Sequence, residues 1–176
     1  MVQLQRDSQP LPLGRIAPAG WLRRQLEIQA AGLSGHLDEI WPDVRDSGWI
    51  GGEAEGWERG PYWLDGLVPL AFLLGDAGLT EKAHRWIGYI VDHQREDGWI
   101  GPEEQQVQQA AHKRDPWPLF VALKAMTQYV EATGDDRVLA SVARTVWAID
   151  RELDRNPLGT WAHFRWQDLL ITLIWL

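Results

Sequence analysis

The chain contains no cysteine. That excludes disulfide bonds, thiolate zinc sites and a cysteine nucleophile within its 176 residues, and leaves the redox compartment open. Basic residues are scarce beside acidic ones, 17 Lys plus Arg against 25 Asp plus Glu, for a formal net charge of −8. No basic stripe or arm supplies the phosphate contacts that dominate nucleic-acid binding, so nucleic acid is not an expected partner. Long apolar runs are missing as well. The N-terminal stretch MVQLQRDSQPLPLGRI has no signal-peptide core, and the runs 67–74 and 169–176 fall short of the roughly 20 residues that span a bilayer. A soluble, cytoplasmic protein with no membrane partner is the expectation. His36, His84, His93, His112 and His163 lack metal-ligand spacing, and there is no HExxH, nucleophile elbow, P-loop or dinucleotide-binding glycine pattern. No metal and no cofactor is expected within this chain.

Tryptophan, by contrast, is abundant: twelve residues of 176. A buried indole needs an acceptor for its N–H, whereas an exposed one offers a flat apolar face with a donor at its edge. Outside the loops, core packing is the default reading for these side chains.

Hydrophobic periodicity predicts six helical segments, at 19–31, 62–74, 80–94, 118–132, 136–151 and 164–176. Three are amphipathic, as in 136–151, where Val138, Val142, Val146 and Ile149 form one stripe. The other three are apolar almost all round; Asp65 is the one charge in 62–74. A helix with a single apolar stripe faces solvent, and one apolar all round is buried on every side. The order is therefore outer, inner, outer, inner, outer, inner. The expected fold class is all-α, with helical hairpins of an (α/α)6 barrel. Pro18 suits a first helical turn, Gly134 a helix C-terminus, and Asp135-Asp136 a cap.

Two echoes indicate a repeat. Gly48-Trp49-Ile50-Gly51 recurs as Gly98-Trp99-Ile100-Gly101, fifty residues later, and Pro61-Tyr62 and Pro116-Trp117 each open an apolar helix. A degenerate third loop, Pro157-Leu158-Gly159-Thr160-Trp161, precedes the last one. Residues 169–176 then run apolar to the last position without a C-terminal glycine or a polar tail. Three inner helices are half of a six-hairpin ring. The expectation is that residues 1–176 are the N-terminal portion of such a domain, truncated or completed by a partner chain, with an open apolar edge prone to self-association.

The connectors 42–60, 96–115 and 152–163 each lead into an inner helix and so belong on one rim. They interleave Trp41, Trp49, Trp57, Trp99, Trp117 and Trp161 with Asp43, Asp46, Glu53, Glu55, Glu58, Asp97, Glu103, Glu104 and Asp115. Flat aromatics pack on the C–H face of a sugar ring, carboxylates accept its hydroxyls, and paired carboxylates serve glycosidic cleavage. The alternative is that acidic, glycine-rich loops are solvated connectors. The candidate catalytic residues are Asp65 and Glu58. The candidate substrate-binding residues are Trp49, Trp57, Glu58, Arg59, Tyr62, Trp63, Asp65, Asp97, Trp99, Asp115, Trp117 and His163. Asp65, one turn in from the rim, either pairs with Arg59 or a backbone amide, or has a perturbed pKa and a function. Glu58 and Arg59 form either a substrate clamp or a local ion pair. His84 and His93 are expected at the surface, and His112 and His163 near the rim.

The run Pro18-Ala19-Gly20-Trp21-Leu22-Arg23-Arg24-Gln25-Leu26, followed by Gly35-His36-Leu37-Asp38-Glu39, resembles the start of the β-L-arabinofuranosidase-like proteins of glycoside hydrolase family 127. So do Gly56-Trp57-Glu58-Arg59-Gly60-Pro61-Tyr62-Trp63-Leu64-Asp65-Gly66-Leu67, His93-Gln94-Arg95-Glu96-Asp97-Gly98-Trp99-Ile100-Gly101-Pro102 and Ala132-Thr133-Gly134-Asp135. The resemblance covers nearly the whole chain but only the N-terminal part of the family's catalytic domain. It implies an (α/α)6 barrel, a retaining glycoside hydrolase acting on arabinose-containing or related plant glycans, and a cysteine nucleophile beside a zinc bound by cysteines and a glutamate. Those residues lie later in the family's domain, and none is carried onto this chain. Two other readings stand beside it. Lys82-Ala83, Trp86 and Gln94-Arg95-Glu96-Asp97-Gly98-Trp99 resemble the Gln/Trp repeats of terpenoid cyclases, without a DxDD or DDxxD motif. A non-catalytic carbohydrate-binding helical module is the third.

Overall fold

The computed structural model describes residues 10–102 and 115–176; Glu103, Glu104 and His112 lie outside them. The fold is all-helical, with no strand among the described residues. The helices are α1 (Gly20–Ala31), α2 (Leu33–Ile40), α3 (Pro42–Arg45), α4 (Arg59–Leu74), α5 (Ala77–Asp92), α6 (Trp117–Thr133), α7 (Asp136–Leu153), α8 (Thr160–Phe164) and α9 (Trp166–Trp175). Four-residue α3 and most of α2 arise where a connector is expected, α3 being started by Pro42 at its first position. Pro18, in turn, precedes the Ala19 cap of α1 instead of sitting in its first turn.

The hairpins are set by a repeated Gly-Asp joint. Gly75, at φ +64°, and Gly134, at φ +69°, end α4 and α6 in the left-handed conformation that glycine adopts without strain. The aspartate that follows then caps the next helix. Asp76 accepts from the Leu79 amide at 2.9 Å and Asp135 from the Arg137 amide at 2.9 Å. A two-residue joint leaves room only for an antiparallel pair, α4 with α5 and α6 with α7.

Residue pairs between helices fix the next level. Glu58 meets Trp117 and Asp65 meets Lys124, each pair 59 positions apart along the chain. Asp115 meets Thr160 and Glu131 meets Trp175, 45 and 44 positions apart. A near-constant offset along two helices means that they run parallel. Thus α4, α6 and α9 lie side by side in one layer, α5 and α7 pack behind them, and α5 also touches α7. The core lies between the layers, around Leu64, Leu67, Trp86, Ile87, Phe120, Leu123 and Met126, all under 2 % exposed. Each such aliphatic side chain stabilises the fold by about 1.5–3 kcal/mol.

Two expectations need correction here. Helix α9, apolar almost throughout, should be buried on all sides, yet Thr172 is its one buried residue and Leu170, Ile171, Leu173 and Ile174 face solvent. Of the neighbouring helices, only α6 covers it extensively. Amphipathic α1 likewise buries no residue completely. Among the described residues, no helix is long and apolar enough to cross a membrane.

Candidate functional site

Because α4, α6 and α9 are parallel, their N-terminal ends and the connectors leading into them share one end of the molecule. Two of those connectors touch directly: Gly48 lies against Pro102, and the Trp49 indole lies over Gly101. The tryptophans, however, turn inward. Trp49 and Trp99 are each 1 % exposed, so neither offers a face to a ligand as expected. Trp63 and Trp117 are buried as well.

The reason lies in local backbone chemistry. In Ser47-x-Trp49, Asp97-x-Trp99 and Asp115-x-Trp117 the first side chain accepts a hydrogen bond from the tryptophan amide two residues on, at 3.3, 3.0 and 3.0 Å. Each such turn folds its indole back under the loop. The N–H groups find partners inside: Trp49 donates to the Trp57 carbonyl at 2.8 Å, and Trp63 to the Ser34 carbonyl at 2.9 Å. Asp97 and Asp115 thus each spend one carboxylate oxygen on closing a turn, and Thr160 donates to the second oxygen of Asp115. Trp57 is half-buried, and Trp161 stays outside with His163, whose ring packs edge-on to Phe164.

What the inner layer does expose is a polar stripe. On α4, Tyr62, Asp65, Gly66 and Pro69 follow the spacing of one helix face and are its least buried run. Tyr62 is 45 % exposed, and open space lies in front of Gly66. On α6, Lys124 and Gln128 are half-buried among residues that are otherwise buried from Trp117 to Tyr129. Lys124 Nζ donates to Asp65 Oδ2 at 2.9 Å and Gln128 Nε2 to Asp65 Oδ1 at 2.8 Å. Asp65 is thus satisfied across the helix pair, not by Arg59 or a backbone amide. Glu58 and Arg59 likewise part company. Glu58 accepts from Trp117 Nε1, whereas Arg59 pairs with Asp43 and lies over Trp41.

Trp117 is the floor on which the rim end of this stripe rests. Tyr62 meets it edge-on at 6.0 Å between centroids, and the Arg165 guanidinium lies over its ring at 5.4 Å. Burial raises the Tyr62 phenol above its ordinary pKa; the Glu58 carboxylate adds to this, as do Asp168 and Asp65, while Arg165 opposes it. That field places three carboxylates and one cation around a single aromatic. Glu55 organises the entrance, taking the Glu58 amide on Oε1 at 3.0 Å and the Arg59 amide on Oε2 at 3.3 Å. Burial raises its pKa although those amides pull the other way.

Lys124, Gln128, Arg165 and Asp168 are not among the sequence candidates. Lys124 is legible in retrospect as a lone charge in the middle of an apolar helix, the signal that picks out Asp65. Arg165 and Asp168 carry no such mark, since they open a helix whose neighbours the sequence does not name.

A groove of about 620 Å³ lies elsewhere, between α1, α2 and the start of α5. Its charges are occupied with one another: Lys82 donates to the Gly35 carbonyl, Asp38 and Glu39 at 2.7–2.8 Å, and Arg23 to Glu27 at 3.0 Å. Burial alone would pull Lys82 down, but Asp38 and Glu39 outweigh it and raise its pKa. We read this region as a tie between α2 and α5. Among the described residues no group of three His, Cys, Asp or Glu could hold a metal ion. The thiolate donors that the family resemblance implies have no counterpart in a chain without cysteine. Comparison with known protein families, with curated proteins and with solved structures yields no match.

Proposed function

We propose that the polar stripe on α4, α6 and α9 is a carbohydrate site of a glycoside hydrolase of the β-L-arabinofuranosidase type, and that the α4–α5 and α6–α7 hairpins with α9 are an arc of an (α/α)6 barrel. The observation that carries the reading is the half-exposed Tyr62 ring set among Glu58, Asp65 and Asp168, with donors on Lys124, Gln128 and Arg165. An aromatic ring packs on the C–H face of a sugar, and alternating acceptors and donors match its hydroxyls. Asp65, fixed by two donors, orients hydroxyls. Glu58, with one oxygen engaged by Trp117, is the carboxylate assigned to proton transfer.

A terpenoid pocket is disfavoured, because a carbocation-guiding surface needs aromatic lining without the cations found here. The non-catalytic reading keeps the same residues and is favoured by the lack of cysteine donors.

Turnover of aryl L-arabinofuranosides, measured on the chain and on a longer form should one be encoded, tests the proposal. Glu58→Gln should lower kcat about 100-fold or more. Asp65→Asn and Tyr62→Ala should each raise KM or Kd about tenfold. Unchanged constants in all three variants would refute the site. Binding that depends on Tyr62 and Asp65 without any turnover would select the non-catalytic module.

A further inference from the structure

We infer that this site selects a sugar bearing a carboxylate, a uronate-containing glycan, with Arg165 as the specificity-determining group; the inference rests on the carbohydrate reading above. The other cations near the inner face are engaged: Lys124 donates to Asp65, and Arg59 is held between Asp43 and Trp41. Arg165 is different. Its side chain lies over the Trp117 ring, 5.4 Å from guanidinium carbon to centroid, and makes no ion pair among the described residues. The cation–π attraction holds the head group near the indole without using its N–H donors, which keep their capacity to bind an anion. That planar fork matches a carboxylate in two parallel hydrogen bonds, which a neutral hydroxymethyl group cannot reproduce.

The surroundings fit a ring-shaped ligand attached to that carboxylate. Tyr62 packs on the same indole, so the fork and an exposed aromatic plane share one floor. One turn further along α4, Gly66 leaves open space in front of its backbone. The nearby acids do not cancel the fork. Both oxygens of Asp65 accept bonds from α6, one oxygen of Glu58 accepts from Trp117, and Asp168, in the first turn of α9, forms no ion pair with Arg165. In a chain of net charge −8, an arginine over an aromatic floor with no ion pair among the described residues is a group that a neutral substrate would leave unused.

The test is calorimetric titration of the whole chain with methyl β-D-glucuronide and methyl β-D-glucoside, which differ in carboxylate against hydroxymethyl. The glucuronide should bind about tenfold more tightly, with an advantage that shrinks as salt is added. Arg165→Gln should abolish the advantage while sparing glucoside affinity, and Arg165→Lys should keep part of it because charge remains without the fork. Equal affinity for the two glycosides, or a preference that survives Arg165→Gln, overturns the inference and leaves the carbohydrate reading standing. Failure of both ligands to bind overturns the inference, while the arabinofuranoside assay decides the carbohydrate reading separately. Since the Arg165 side chain lies at the surface, circular dichroism of the variants should match the parent.

Discussion

Trp49 and Tyr62 sit thirteen positions apart at the same end of the molecule and do opposite work. Trp49 closes a turn from inside, with its ring over Gly101 and its N–H on the Trp57 carbonyl. Trp49→Phe should cost about 2–3 kcal/mol, through lost packing and an unsatisfied carbonyl, while sugar affinity is retained in the folded fraction. Chemical denaturation alongside titration checks both halves. Gly101→Ala should be worse than its size suggests. The residue stands at φ +83°, and a Cβ there would lie 2.7 Å from the indole, so the melting temperature should fall by about 5 °C. At this scale the sequence is half legible. It marks Asp65 and the Gly-Trp-Ile-Gly repeat as special, but not that an acceptor two positions before a tryptophan turns the ring inward. The rim tryptophans read as ligand platforms because composition does not reveal which way a turn points.

Helix boundaries were more readable than loop contents. Inner and outer patterns locate α4, α5, α6 and α7, and Gly134 with Asp135 ends α6 and starts α7 as the sequence indicates, whereas Asp76 starts α5 at Ala77, three residues before the expected 80. Helices α2 and α3 escape because no long periodic pattern announces them. The start of α4 also escapes, three residues ahead of the apolar run, because a carboxylate outside the helix organises it. Glu55 binds the Glu58 and Arg59 amides, and burial holds its folded pKa above the ordinary 4.5. For an acid with a raised folded pKa, the native state binds the proton more tightly than the unfolded state does. Its contribution to stability is therefore present at low pH and lost as pH rises from about 4.5 through the folded value. Melting curves between pH 4 and 6 should show the wild type losing stability with rising pH relative to Glu55→Gln. A constant difference between the two proteins would remove Glu55 from that role.

For the molecule as a whole, the outer edge of α9 is an uncovered apolar face. Leu170, Ile171, Leu173 and Ile174 stand between 38 and 58 % exposed on one short helix. Sedimentation velocity should show association that grows with concentration, and Ile171→Glu with Ile174→Glu should suppress it. A concentration-independent monomer would contradict this expectation. The three parallel inner helices have an electrical consequence. Peptide dipoles in α4, α6 and α9 add instead of cancelling, so three partial positive poles, each worth about half an elementary charge, converge where the connectors meet. The antiparallel partners α5 and α7 bring their negative poles to the same end one layer behind α4 and α6, so the positive poles act on the inner face. The backbone of the inner layer thereby sets partial positive charge beside the carboxylates of Glu58 and Asp168, without any basic side chain.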